Sequence, residues 1–245
     1  MNITTWNMQG SNATSENKWQ RGVVNLFSTQ DVWRPDALCL QECGPLPASV
    51  RMPAILTVNF RSPIPNAPNE AVSLYSFGGT EDRPLGYLAI NEWDVAGNRV
   101  NTVVIVRLNK RLPDPPTQDD LFLTWARQGA QYRPAVGVRY AGIVFYSFHA
   151  ISPGGADASG IIAAIAESHA NERWYIGADW NRETINVLPQ GTLICPSNAP
   201  TYPATAPRSS YDYVIYNGRQ PTRGVTLSLL MSDHLPVAYI FNNDL

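Results

Sequence analysis

The chain has 245 residues, 44% of them hydrophobic and 16% charged, with a formal net charge of −2. That apolar content supports a substantial core and excludes wholesale disorder, while the slightly acidic balance excludes a protein built to coat nucleic acid, so any such contact is local and transient. No run of about 18 apolar residues occurs, so no membrane span is expected.

The opening, Met1-Asn2-Ile3-Thr4-Thr5-Trp6, runs straight into a strand-like segment without the basic, apolar, small-residue order of an export signal. A cytosolic protein and a processed, mature chain are the two readings this leaves. Residues 16–28 then place Trp19, Val23, Leu26 and Phe27 on one helical face. Apolar runs bounded by Gly, Pro and Asn predict strands at 3–7, 37–41, 72–76, 87–91 and 102–107, and again at 136–140, 143–149, 174–178, 213–216 and 237–241. A second helix is predicted over 158–169, where Ile161, Ile162 and Ile165 recur at helical spacing. The proline-rich stretches 45–68 and 195–207 read as loops. No repeat or linker divides the chain, so one domain over 1–245 is expected. Strands outnumber interspersed helices, which predicts a layered α/β protein with two sheets face to face and helices outside. Cys39, Cys43 and Cys195 are too few for a disulfide framework and read as buried bystander thiols, with one bridge to Cys195 left open.

The informative pattern is what terminates the apolar runs. The first strand ends at Asn7, the second at Gln41-Glu42, the 143–149 run at His149, and the 174–178 run at Asp179-Trp180-Asn181. Asp212 heads another strand, and Ser232-Asp233-His234 precedes the last. Singly each residue is ordinary, since Asp-x-Asn is a frequent turn pattern. Together they suggest one site, because a rigid sheet holds side chains from distant sequence at one rim. Of three histidines, His149 and His234 fall in these clusters, whereas His169 lies on a helix and is expected at the surface.

This set suits phosphodiester hydrolysis, which needs an activated water, neutralised phosphoryl oxygens and a proton for the leaving oxygen. Glu42 fits as the main ligand of a magnesium ion, which takes oxygen donors and keeps waters. Asp179 is placed to orient the attacking water, and Asn7 and Asn181 to donate amide hydrogen bonds to phosphate. His149 and His234 handle protons, with Asp212 fixing one imidazole. Arg99, Arg133 and Arg139, within or beside strands near the His149 segment, suit phosphate contact through the planar guanidinium.

In order, Thr5-Trp6-Asn7-Met8-Gln9-Gly10, Leu40-Gln41-Glu42, Phe148-His149-Ala150, Ile176-Gly177-Ala178-Asp179-Trp180-Asn181-Arg182, Tyr211-Asp212-Tyr213 and Ser232-Asp233-His234-Leu235-Pro236-Val237 resemble the signatures of the endonuclease/exonuclease/phosphatase superfamily, the deoxyribonuclease I-like proteins. Between them, Asn7-Met8-Gln9-Gly10-Ser11, Asp94-Val95-Ala96-Gly97-Asn98-Arg99-Val100-Asn101, Arg133-Pro134-Ala135-Val136-Gly137-Val138-Arg139 and Gly154-Gly155-Ala156-Asp157-Ala158 resemble the catalytic B subunits of cytolethal distending toxins and the related typhoid toxin. The resemblance implies a four-layer α/β sandwich of two mostly antiparallel sheets with outer helices. It implies magnesium-dependent nicking of DNA, with manganese or calcium as alternative ions. It makes His149 and His234 the catalytic imidazoles, Asp212 the partner of His234, and Glu42 the metal ligand with Asp233 a site acid near it. Asp179 and Asn181 would hold water and phosphate, and Asn7, Arg133 and Arg139 would meet phosphate. It also implies separate receptor-binding delivery subunits, secretion, and a final nuclear site in a target cell. Where pancreatic deoxyribonuclease I has a glutamate behind its first histidine, this chain reads Pro84-Leu85-Gly86-Tyr87, with Glu81 and Asp82 upstream, so the support of His149 stays open.

Two other functions fit the same residues: a phosphatase acting on a phosphoinositide or other phosphomonoester, and a non-enzymatic binding module. DNA calls for a basic track, which Arg107, Lys110 and Arg111 could extend. The intact set of strand-end groups argues against the binding module.

Overall fold

The structure, a computed structural model, describes residues 1–10, 17–30, 32–46, 53–63, 69–80, 83–93, 100–108, 114–126 and 133–241. Two sheets form the body. The eight-stranded sheet has the order β13-β14-β1-β2-β6-β5-β4-β3 and the six-stranded sheet the order β11-β12-β10-β9-β8-β7. Their strands are β1 (Asn2–Asn7), β2 (Ala37–Gln41), β3 (Ala54–Phe60), β4 (Glu70–Thr80), β5 (Arg83–Asn91), β6 (Thr102–Arg107), β7 (Leu121–Thr124), β8 (Ala135–Tyr140), β9 (Ile143–His149), β10 (Arg173–Asp179), β11 (Leu193–Cys195), β12 (Asp212–Tyr216), β13 (Arg223–Thr226) and β14 (Val237–Ile240). Pairing is antiparallel except for β1 with β2 and β9 with β10.

Alternation along each strand sorts side chains between two cores. In β2, Ala37 and Cys39 face the inter-sheet core, while Leu38 and Leu40 face outward. The outward set is covered by a helical stretch whose first part, Lys18–Val23, is π-wound and whose second is α1 (Val24–Ser28). Trp19, Val23 and Phe27 of that stretch pack with Trp6, Phe77 and Ile105. Truncating one such aromatic costs about 3–5 kcal/mol. On the far side α2 (Ala158–Ser168) buries Ile161, Ile162 and Ile165 against the six-stranded sheet. The expected layering, helix–sheet–sheet–helix, is therefore present.

The expected strands are all found, within a few residues of their ends. The first helix begins its described part at Asn17, residue 16 lying outside the described residues. Stretch 45–68 is not all loop: it contains β3, an edge strand with Ile55 exposed, and its mixed, proline-flanked sequence hid the pattern. The three cysteines are free and buried, with no bridge to Cys195. Among the described residues no helix is long and apolar enough to cross a membrane.

Candidate active site

Strand register brings the terminal polar residues together. Asn7 pairs with Gln41 across parallel β1 and β2, and His149 pairs with Asp179 across parallel β9 and β10. Asp179 pairs in turn with Asp212, the first residue of antiparallel β12. The Thr5–Val237 pairing puts Ser232–His234, just before β14, at the same rim. Glu42 follows β2 with a left-handed φ of 46°, unusual for a residue with a Cβ and typical of functional turns. Gly10 makes this turn compatible with its neighbour: a Cβ there would lie 2.3 Å from the Glu42 carbonyl oxygen.

The side chains converge on Asp179. Its Oδ2 accepts from Asn7 Nδ2 at 2.9 Å, and lies 3.6 Å from Nε2 of His149 and 3.7 Å from Nε2 of His234. Glu42 Oε1 is 3.6 Å from His149 Nε2 and accepts from Asn7 Nδ2 at 3.4 Å. Behind His234, Nδ1 meets Oδ2 of fully buried Asp212 at 2.8 Å. Behind His149, Nδ1 meets a guanidinium N–H of Arg133 at 2.7 Å. A guanidinium has only donors. Nδ1 therefore accepts, and the ring proton sits on Nε2, facing Glu42 and Asp179. Arg133 thus stands at the position where a supporting carboxylate was sought.

Beneath these groups a buried strap joins the sheets. Gln41 Nε2 lies 3.0 Å from Ser147 Oγ and 3.1 Å from the Gly177 carbonyl, and Ser147 Oγ donates to the Leu40 carbonyl at 2.8 Å. Lys18 is buried below the site loop, donating to the carbonyls of Met8 and Gln9. Burial holds its ammonium below the usual range, opposed by Asp233 and Glu42. Asn181 is committed to structure: its amide donates to the Ala150 carbonyl and its N–H to Asp179 Oδ1, tying the Asp179 turn to the segment after His149.

The central base and the central acid are both displaced upward, with opposite effects on charge: His234 is held in its charged form and Asp179 is pushed toward its neutral one. Burial would lower His234, but the charge and hydrogen bond of Asp212, helped by Asp179 and Asp233, push it up to about 10. Burial and then the charge of Asp212 hold Asp179 well above the usual carboxylate range, against His234, Asn7 and the Asn181 N–H. His234 is thus a cation at neutral pH, set between two carboxylates. Asp179, Asp212 and His234 each bring one ligating atom within 4.8 Å of the others, a group able to hold a metal ion.

A cleft of about 780 Å³ opens over this cluster, lined by Asn7, Glu42, Arg133, His149, Asp179, Asn181, Asp233 and His234. Of the expected site residues that are described, one is not brought there. Arg139 sits on β8 opposite Val144 and forks onto Glu172 at 2.7 and 3.1 Å, where it cannot meet a phosphate held by His149. Arg99, Glu81, Asp82, Lys110 and Arg111 lie outside the described residues. His169, expected at the surface, is buried between Tyr146 at 2.8 Å and Glu172 at 2.7 Å. The cleft also holds Arg182, Tyr202 and Tyr211, which the strand-end pattern does not reach. The one sequence signal for Tyr211 is its place beside Asp212.

The sequence profile of the Endonuclease/Exonuclease/phosphatase family matches residues 4–234. Two relatives are each 27% identical: a homolog of the cytolethal distending toxin B component from Salmonella typhi, over 97% of this chain and 88% of its own length, and the B component of the cytolethal distending toxin of Escherichia coli, over 96% and 89%. The crystal structure of the Haemophilus ducreyi cytolethal distending toxin contains a chain superposing with a TM-score of 0.77 at 27% identity, covering 99% of this chain and 98% of that one. The matched span includes every strand-end residue of the cluster, from Asn7 to His234, and with this fold and this site it settles one affiliation: the chain belongs to the endonuclease/exonuclease/phosphatase family.

Proposed function

We propose that the protein is a divalent-metal-dependent DNA endonuclease that nicks by phosphodiester hydrolysis, and that it is the catalytic subunit of a genotoxin of the cytolethal distending type. The observation that carries the chemistry is the convergence of two imidazole Nε2 atoms and the Asn7 amide on Asp179, with Glu42 alongside. The toxin reading rests on the likeness to the B components of such toxins. With it go separate delivery subunits, secretion, and action in a target-cell nucleus.

The donor set fits a hard divalent cation. Glu42, Asp179 and Asp233 line one cleft with Asp212 just behind, and one carboxylate oxygen of Asp212 is buried without a hydrogen-bond partner among the described residues. The 2.8 Å contact already commits Asp212 Oδ2 and His234 Nδ1 to each other. The oxygen donors Glu42 and Asp233 therefore suit magnesium better than that imidazole. A bound magnesium would neutralise charge building on the phosphoryl oxygens. Asp179, oriented by Asn7, takes a proton from the attacking water. His149 donates its Nε2–H to a non-bridging oxygen, held in that tautomer by Arg133. His234, kept protonated by Asp212, supplies the proton to the leaving oxygen.

Supercoiled plasmid incubated with magnesium or with chelator tests this reading. The wild-type protein converts it to nicked circles only with magnesium, and His149→Ala and Asp179→Ala each lose about 10²–10⁴-fold. An intact plasmid together with phosphate release from a phosphoinositide would transfer the same site to phosphomonoesters.

A further inference from the structure

The cleft is not uniformly polar. Its floor carries carboxylates, imidazoles and Arg133, but one wall is aromatic, formed by Tyr202 and Tyr211. Their rings are near parallel, 5.7 Å apart at 23°. That spacing and angle fit an offset stack rather than a face-to-face sandwich, and both rings line the open cleft. Tyr202 is also 4.7 Å from the His234 ring, so the wall begins beside the imidazole that serves the scissile phosphate. Both tyrosines are partly exposed.

The wall is rigidly mounted. Tyr202 N–H donates to the Ser209 carbonyl and Ser209 N–H donates back at 2.9 Å. Ala204 N–H donates to the Asp233 carbonyl and Leu235 N–H to the Thr201 carbonyl, tying the loop to both sides of His234. Tyr211 N–H donates to Thr201 Oγ1. A preorganised pair of flat rings costs little to order when a ligand arrives.

Resting on the nuclease reading above, we propose that Tyr202 and Tyr211 form a stacking platform for the nucleobase adjoining the scissile phosphate. A base inside a duplex has both faces covered by its neighbours. A platform at this place therefore favours single-stranded or locally unpaired DNA. The stack is present equally before and during the reaction, so it acts on KM rather than on kcat.

The test compares oligothymidylate with an oligomer of equal length built from abasic tetrahydrofuran residues, which keeps the phosphates and removes the bases. The wild-type protein is expected to show a KM about tenfold lower for oligothymidylate, with similar kcat. Tyr202→Ala removes that preference and Tyr202→Phe restores it. Equal KM for the two oligomers with wild-type protein overturns the platform and leaves the nuclease standing. So does a preference that survives Tyr202→Ala. Cleavage of neither oligomer, nor of plasmid, overturns the nuclease reading and the platform with it. Should the alanine variant not fold, Tyr202→Leu, which keeps the bulk and removes the ring, takes its place with the same two outcomes.

Discussion

Asp212 is fully buried, and its Oδ2 is answered at 2.8 Å by the His234 imidazole. Replacing it by Asn keeps the shape and removes the charge. His234 should then fall from about 10 toward or below its ordinary value, because burial, which lowers it, is no longer overridden. Nicking should drop about 10²–10⁴-fold. The pH dependence of stability should change as well. A histidine raised in the folded state stabilises fully below its unfolded value of about 6.5, and that stabilisation is lost as pH rises toward 10. Asp212→Asn should remove this alkaline decline, read by NMR titration of the imidazole and by melting temperature against pH. A His234 still titrating near 10 in the variant would show that Asp212 is not the main cause. At this scale the sequence was informative where polar residues bound an apolar run: Asn7, Glu42, His149 and Asp179 end such runs, and His234 precedes one. It was silent on Tyr202 and reached Arg182 only as the last residue of a motif, because cleft-wall loops have no periodicity to interrupt. It named Arg133 for phosphate and could not show it bonded to His149 Nδ1.

Strands were legible according to their position in the sheets. The four that the apolar runs did not announce, β3, β7, β11 and β13, are the two edges of each sheet. An edge strand is short or half solvated and so lacks the continuous apolar run of an interior one. Arg139 shows the converse error, a residue on the right strand at the wrong end. Its partner in register, Val144, lies five residues from His149 along β9, roughly 16 Å at the usual rise. There it belongs to a clasp between β8, β9 and the turn after α2, in which Glu172 is shared by Arg139 and His169, and His169 meets Tyr146. Arg139, then His169, holds the Glu172 carboxyl at about 2. A depressed carboxylate stabilises above its unfolded value, about 4.3, and loses that contribution as pH falls through its folded value. Because the pair is a third exposed, solvent screening limits it. Glu172→Gln should therefore cost about 1 kcal/mol at neutral pH, a melting shift of about 2–4 °C, and the gap to wild type should close between pH 4 and 2. Nicking should be unaffected, since the clasp lies away from the cleft. A loss of nicking without unfolding would mean the clasp reaches the site.

The site belongs to the molecule as a whole, because its halves come from different sheets. Asn7 and Glu42 follow from β1 and β2, while His149, Asp179 and Asp212 follow from β9, β10 and β12. Their spacing is set by how closely the sheets approach, and two residues below Asp179 that approach is limited by Gly177. A Cβ there would stand 2.8 Å from Cβ and 2.9 Å from Sγ of Cys39, and 3.2 Å from Cβ of Thr5. All three atoms belong to strands of the opposite sheet, which cannot turn aside as a long side chain could. Gly177→Ala should therefore push the sheets apart locally at about 1–3 kcal/mol. It should also lengthen the 2.9 Å Asn7–Asp179 hydrogen bond that spans them. Misplacement of about 1 Å can cost about 10²-fold in rate, so kcat for nicking should fall well beyond what the stability loss explains. Gly142→Ala is the control. Gly142 lies in the β8–β9 turn at φ 74° with no neighbour within 4 Å of a new Cβ, so it should lose about 1 kcal/mol through backbone strain and keep its kcat. Equal effects of the two substitutions on kcat would mean that sheet spacing does not set the geometry of the site, and that its residues are held by the rim loops alone.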